Sequence, residues 1–192
     1  MADMTQPLSN SNLDESRPMK GPKQDRTLDV PDVPVLRRAA MDFLARREHS
    51  SFELKQKLLI KFPDLVIADL DKALSQLQIE NLQSDERFTE SYVRYRKSRG
   101  FAYRRIRADL SSRRVHPDIV SKYLFSDDAE WQDMACELVA KKTRDVAEIE
   151  FGSKQHRKLV RFLESRGFLQ LEIQKAIDRN LSFISIGKKL NQ

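Results

Sequence analysis

Between Tyr92 and Val115 the chain reads YVRYRKSRGFAYRRIRADLSSRRV, its densest run of positive charge. From Arg87 to Lys122 there are eleven basic residues (Arg87, Arg94, Arg96, Lys97, Arg99, Arg104, Arg105, Arg107, Arg113, Arg114, Lys122) and three acidic ones (Glu90, Asp109, Asp118). The local charge of +8 exceeds the +6 of the whole chain. A guanidinium is a planar fork of donors that matches phosphate or carboxylate, and roughly six to ten such phosphate contacts would dominate an affinity and make it salt-dependent. A solvated helical face ordinarily mixes both signs. This one is nearly all positive, so the chemistry it offers is recognition of an anion. Charge density and helical facing point to Arg94, Lys97, Arg104, Arg105 and Arg113 as contact residues. Arg99 and Arg107 are assigned to helix junctions and packing. The interleaved Tyr92, Tyr95, Phe101 and Tyr103 offer rings for base stacking, but their spacing fits a helical core better.

Other chemistry is not supported by the sequence. His49, His116 and His156 stand far apart, none with a second His or Cys at helical ligand spacing, so they read as polar or capping residues rather than a metal site. The one cysteine, Cys136, forms no intramolecular disulfide, and without a local His it reads as packing rather than nucleophile. Five glycines supply neither GxxxxGK[ST] nor GxGxxG. Asp85 and Glu86 follow Ser84, where carboxylates suit the positive end of a helix and the serine can cap it. No enzyme, cofactor or metal is expected.

The basic run needs helices to position it. Gly100 divides it, being at ease in the left-handed conformation that closes a helix. On one side Phe88, Tyr92 and Tyr95 share a face; on the other Tyr103, Ile106 and Leu110 do so, leaving Arg104 and Arg105 outward. Before it, a first helix carries Leu36, Ala40, Phe43 and Leu44 and ends near Glu48. Ser50 and Glu53 have the capping-box spacing ahead of Leu54, Leu58 and Leu59. After Pro63 and Asp64 a third helix carries Ile67, Leu70, Leu74 and Leu77, with Leu82 closing after it. Beyond the run, a short helix spans about Pro117 to Leu124. Asp127 and Glu130 repeat the capping-box spacing before WQDMACELVAKK, Ser153 caps the next helix, and the last pair ends near Asn180.

The pattern recurs. A shift of 52 takes Met41, Phe43, Leu54 and Leu58 to Val93, Tyr95, Ile106 and Leu110; a further 67 reaches Val160, Phe162, Ile173 and Ile177. Ser98-Arg99-Gly100-Phe101 matches Ser165-Arg166-Gly167-Phe168, whereas the first copy has Glu48 in place of Gly and must close its turn differently. The expected fold is all-α, an elongated array of three tandem three-helix repeats. Its expected divisions are a disordered tail at 1–34, repeats at 35–82, 83–125 and 126–180, and a polar tail at 181–192, in which SFISI at 182–186 is ambiguous between helix and strand. Charge is uneven along the array: Ser126 to Phe151 holds eight acidic and three basic residues. With no apolar run of membrane-spanning length and no apolar signal core, a cytoplasmic protein is expected.

Three stretches resemble the RecX family, regulators of the bacterial RecA recombinase, over essentially all of residues 35–180. FLARREHSSFELKQKL at Phe43–Leu58 looks like that family's opening repeat, and DERFTESYVRYR at Asp85–Arg96 like the start of its second. SRGFAYRRIRADLSSRRV at Ser98–Val115 is similar to its most specific signature. Ala102 and Tyr103 stand where many members have Gly-Pro, and Arg114 where many have Gly. The resemblance implies a monomeric, catalytically inert protein of recombinational repair and the SOS response. It would dock in the groove of a RecA filament on DNA and lower its ATPase, strand-exchange and coprotease activities, binding single- or double-stranded DNA weakly alone. A free-standing regulator built from helix-turn-helix-like pairs, reading base edges as a dimer on spaced half-sites, is the alternative.

Overall fold

The computed structural model describes residues 30–144 and 149–180. Residues 1–29 of the tail expected at 1–34, the tail at 181–192 with its SFISI run and residues 145–148 of the connection lie outside the described residues; Val33 and Pro34, expected in the first tail, instead open a helix that Asp32 caps. Among those described there are nine helices and no strand: α1 (Val33–Leu44), α2 (Ser51–Lys61), α3 (Ile67–Ile79), α4 (Asp85–Ser98), α5 (Tyr103–Ser112), α6 (Pro117–Tyr123), α7 (Glu130–Lys142), α8 (Lys154–Arg166) and α9 (Gln170–Asn180).

Local chemistry sets most of the helix ends. Asp32, Ser50, Ser84 and Ser153 each accept a bond from the backbone N–H three residues on, and Pro34 and Pro117 occupy first turns, where no N–H is needed. Three expectations are corrected. The first helix stops at Leu44 rather than near Glu48. Asp128, not Asp127, receives the Glu130 N–H at 3.0 Å. Glu53 forms only half of a capping box, because its carboxylate turns to Arg47, His49 and Arg113 instead.

Helices pack in threes: α1 with α2 and α3, α4 with α5 and α6, α7 with α8 and α9. In the third group the pair that matches the sequence repeat is α8–α9, and the third member is α7, which precedes that pair in the chain and packs chiefly on α9, whereas α3 and α6 pack chiefly on α1 and α4. The repeat is deepest in the second helix of each pair, where Leu54 and Leu58, Ile106 and Leu110, and Ile173 and Ile177 are all buried. Ile67 and Tyr95, expected inward, are instead about half exposed.

The two junctions between groups differ in kind. The first group has its own apolar core around Leu36, Leu54, Leu58, Leu70 and Leu77, and it meets the second through polar contacts. Ser51 N–H donates to Asp85 Oδ1 at 2.8 Å, Gln83 Nε2 to the His49 carbonyl at 3.1 Å, and Arg113 Nε to Glu53 Oε1 at 2.8 Å. The second and third groups share one core containing Ile106, Leu110, Trp131, Leu163 and Ile173. There α5, which has no side-chain cap, is capped by the end of α8. Ala102 N–H donates to Arg166 O at 2.8 Å and Arg104 N–H to Gly167 O at 3.2 Å. The orphan donors of one helix thus meet the orphan acceptors of another, with opposite dipole ends in contact.

Candidate interaction surface

The basic run folds back on itself at Gly100, whose φ of 71° lies in the left-handed region. The turn is held by cations. The Arg96 guanidinium lies 3.6 Å from the centre of the Phe101 ring and bonds Asp109 Oδ2 at 2.6 Å. Arg166 stands 4.9 Å from the same ring and donates to the carbonyls of Arg99 and Gly100 at 2.6 and 3.1 Å. Asp109 is the hub of α4 and α5, since it also accepts from Tyr92 Oη at 3.1 Å and pairs with Arg105 at 3.1 Å. Arg96, Asp109 and Arg166 were not singled out in the sequence, where nothing marks which arginines turn inward. The SRGF repeat was the available signal for Arg166.

The five expected contact residues divide. Arg94 is three-quarters exposed and pairs with Glu90 one turn back. Arg104 and Arg105 point away from the core, as their helical positions required; Arg105 is half exposed, although its partner Asp109 is largely buried. Lys97 is engaged within the fold. It bonds Asp128 and, at 2.9 Å, Glu130, and sits 4.5 Å from the centre of the Trp131 ring, tying α4 to the start of α7. Burial opposes its charge, but the hydrogen bonds it donates to the two carboxylates, with their negative charges, outweigh that and raise its pKa above the usual lysine value. Arg113 is likewise used: it lies 4.7 Å from the Tyr92 ring centre, bonds Glu53, and donates to the Asp109 carbonyl at 2.7 Å. Arg114 adopts φ 53°, the left-handed conformation that suits Gly, and lies 4.7 Å from the centre of the Phe52 ring. Of the two arginines assigned to junctions, Arg99 contributes its carbonyl rather than its exposed side chain, and Arg107 lies 6.0 Å from the Tyr103 ring centre.

The polar junction contains a titratable pair in which His49 is buried and Glu53 partly so. His49 Nδ1 lies 3.1 Å from Glu53 Oε2. Burial first, then the charge of Arg47, lowers the His49 pKa despite the pull of Glu53. Burial alone would raise Glu53, but hydrogen bonds from Arg47 and His49 and the charges of Arg47 and Arg113 together hold it below the usual carboxylate range. His116 caps α6 by accepting from the Asp118 N–H at 3.3 Å, and His156 is buried beside the Phe151 ring. Among the described residues no cluster of His, Cys, Asp and Glu could hold a metal ion, and no helix is long and apolar enough to cross a membrane.

Fold and surface together define an all-α protein of three-helix units that presents arginines from the α4–α5 pair. Residues 37–70 match a family model described as RecX, first three-helix domain, and residues 84–124 one described as RecX, second three-helix domain. The regulatory protein RecX of Mannheimia succiniciproducens is 37% identical over 131 residues, covering 67% of this chain and 83% of that one. The same-named protein of Haemophilus influenzae is 34% identical over 143 residues, covering 74% and 92%. The crystal structure of RecX from Lactobacillus salivarius superposes with a TM-score of 0.65 at 20% identity, covering 77% of this chain and 96% of that one, a likeness of fold. The chain belongs to the RecX family of regulatory proteins.

Proposed function

We propose that the protein modulates a RecA recombinase, mainly as an inhibitor, by lying in the groove of the RecA–DNA filament and lowering its ATPase, strand-exchange and coprotease activities. Family membership supports the partner, and the observation that carries the mode of contact is the outward set Arg94, Arg104 and Arg105 on adjoining helices. These three meet acidic protein surface or DNA phosphate, while Lys97 and Arg113 hold the helices that present them. The units at 35–82, 83–125 and 126–180 act as modules touching more than one protomer, so that affinity comes from avidity rather than one deep pocket. The protein works in the cytoplasm as a monomer, without catalysis of its own.

The test is the ATPase rate of RecA on single-stranded DNA as the protein is titrated in, at two salt concentrations and with a bare-DNA binding control. Inhibition at substoichiometric protein, weakened by salt, is expected. The double variant Arg104→Glu/Arg105→Glu is expected to keep its circular dichroism and lose inhibition. Undiminished inhibition by that variant would remove both residues from the mechanism. No effect of the wild type on RecA, with tight sequence-selective binding to duplex, would favour the free-standing DNA-binding regulator.

A further inference from the structure

Tyr95 does not join the core that its spacing suggests. Phe88, Ser91, Tyr92 and Tyr95 follow one another along one side of α4, and the turn after α1 lies against this side. Arg47 and Glu48 of that turn, with those four residues, line a hollow of about 270 Å³ whose surface is mostly apolar. Phe88, at its base, is fully buried, and its ring centre is 5.5 Å from that of Tyr92. Tyr95, two turns further on, leaves 57% of its surface exposed. The result is an open slot with one aromatic ring on its rim and two beneath, below the roughly 300–1,000 Å³ of a pocket for a drug-sized ligand.

Its surroundings select the occupant. Arg94 adjoins Tyr95 and is three-quarters exposed; Arg99 comes one turn later on the same side, and Arg46 adjoins Arg47, both exposed. A flat apolar slot flanked by exposed guanidinium groups is complementary to a planar ring carried on a phosphate backbone. Glu48 lies under the slot. One of its carboxylate oxygens is held by Arg87 Nε at 2.9 Å, and the other, Oε2, is buried without a hydrogen-bond partner among the described residues, which places a negative charge beneath the slot rather than on its open face. Duplex DNA keeps its bases stacked inside, so only an unstacked base reaches such a slot.

We propose that the slot between the α1–α2 turn and α4 takes one unstacked base of single-stranded DNA, stacked on Tyr95, while Arg46, Arg94 and Arg99 engage the flanking phosphates. The site spans the polar junction between the first two helix groups, so occupancy braces one group against the other. The inference does not depend on RecA and is tested without it.

The experiment is fluorescence anisotropy of the full-length protein with a labelled single-stranded 20-mer and with an abasic 20-mer carrying the same phosphates. Tighter binding to the base-bearing strand is expected. Stacking on one aromatic side chain corresponds to about 5- to 150-fold in affinity, so Tyr95→Ala should lose that factor on the base-bearing strand and little on the abasic one. Tyr95→Phe, which keeps the ring, should bind like the wild type. The salt slope should be unchanged in Tyr95→Ala and shallower by about one unit in Arg94→Ala. Circular dichroism confirms folding, which an exposed side chain leaves intact. Equal affinity for the two strands, equal binding by Tyr95→Ala, or no measurable binding by the wild type would each overturn the proposal. So would a Tyr95→Ala variant that loses RecA inhibition with unchanged strand affinity, since the slot would then belong to a protein surface.

Discussion

Replacing Gly167 by Ala tests whether the joint between α8 and α5 holds the second and third helix groups together. Gly167 has φ 92°, and a Cβ there would fall inside contact distance of the Arg105 backbone nitrogen and 2.7 Å from the Arg105 Cβ. Gly152 supplies the control: its φ is 75°, yet an added Cβ meets nothing within 4 Å. Both substitutions carry the left-handed strain of about 1–2 kcal/mol and the same gain from a stiffer unfolded chain. These cancel in the comparison. What remains is the push against α5, which breaks the bonds from Ala102 N–H to Arg166 O and from Arg104 N–H to Gly167 O. At about 0.5–1.5 kcal/mol each, Gly167→Ala should be less stable than Gly152→Ala by about 1–3 kcal/mol. Gly100→Ala should fall between, because its new neighbours are the Arg166 guanidinium at 3.1 Å and the Leu138 methyls at 3.3 Å, side-chain ends that can yield. The assay is urea unfolding followed by Trp131 fluorescence, since this single tryptophan lies fully buried in the shared core. With m near 1–3 kcal/mol per molar urea, the difference should appear as a midpoint shift of roughly 1 M. Coincident midpoints for Gly167→Ala and Gly152→Ala would refute the joint.

Two further outcomes follow from the polar contacts. His49 and Glu53 both have folded pKa values below their ordinary 6.5 and 4.5, so the unfolded chain binds protons more readily than the folded one. Their contribution is present above those values and is lost as pH falls, first below 6.5 and then below 4.5. Urea unfolding by far-ultraviolet circular dichroism at pH 7, 6 and 5 should show declining stability. His49→Gln should flatten that decline; an unchanged slope in the variant would assign it elsewhere. Lys97→Met takes the partner from Asp128 Oδ2 and Arg113→Ala takes the one from Glu53 Oε1, each costing about 1–3 kcal/mol, whereas Arg94→Ala at an exposed position should stay within about 0.5 kcal/mol of wild type. Thermal melts that ranked Arg94→Ala with the other two would show that the partly buried pairs contribute no more than a surface one.

Much of the helical architecture was legible because its causes are local. Ser50, Ser84 and Ser153 cap the N–H groups their spacing offered, Gly100 and Gly167 take left-handed turns, and Ile106 and Leu110 are buried with their counterparts Leu54, Leu58, Ile173 and Ile177. The outward facing of Arg104 and Arg105 follows from the same 3.6-residue period. Identical side chains in the same run have fates that periodicity does not encode. Arg96 and Arg113 lie on aromatic rings, Arg94 and Arg104 face outward, and Lys97 is held by two carboxylates more than thirty residues away. A carboxylate or a ring from another part of the chain decided each case. Tyr95 is the converse: its spacing suits a core, but more than half of its surface stays exposed. The sequence by itself determined the helices, the repeat, the basic run and the family, because caps, glycines and apolar period act within a few residues. Only the tertiary structure decided which cations are engaged, that the first junction is polar and the second is closed by one helix end on another, and where an aromatic ring stays exposed. Those outcomes depend on which surfaces meet when groups distant in sequence pack together.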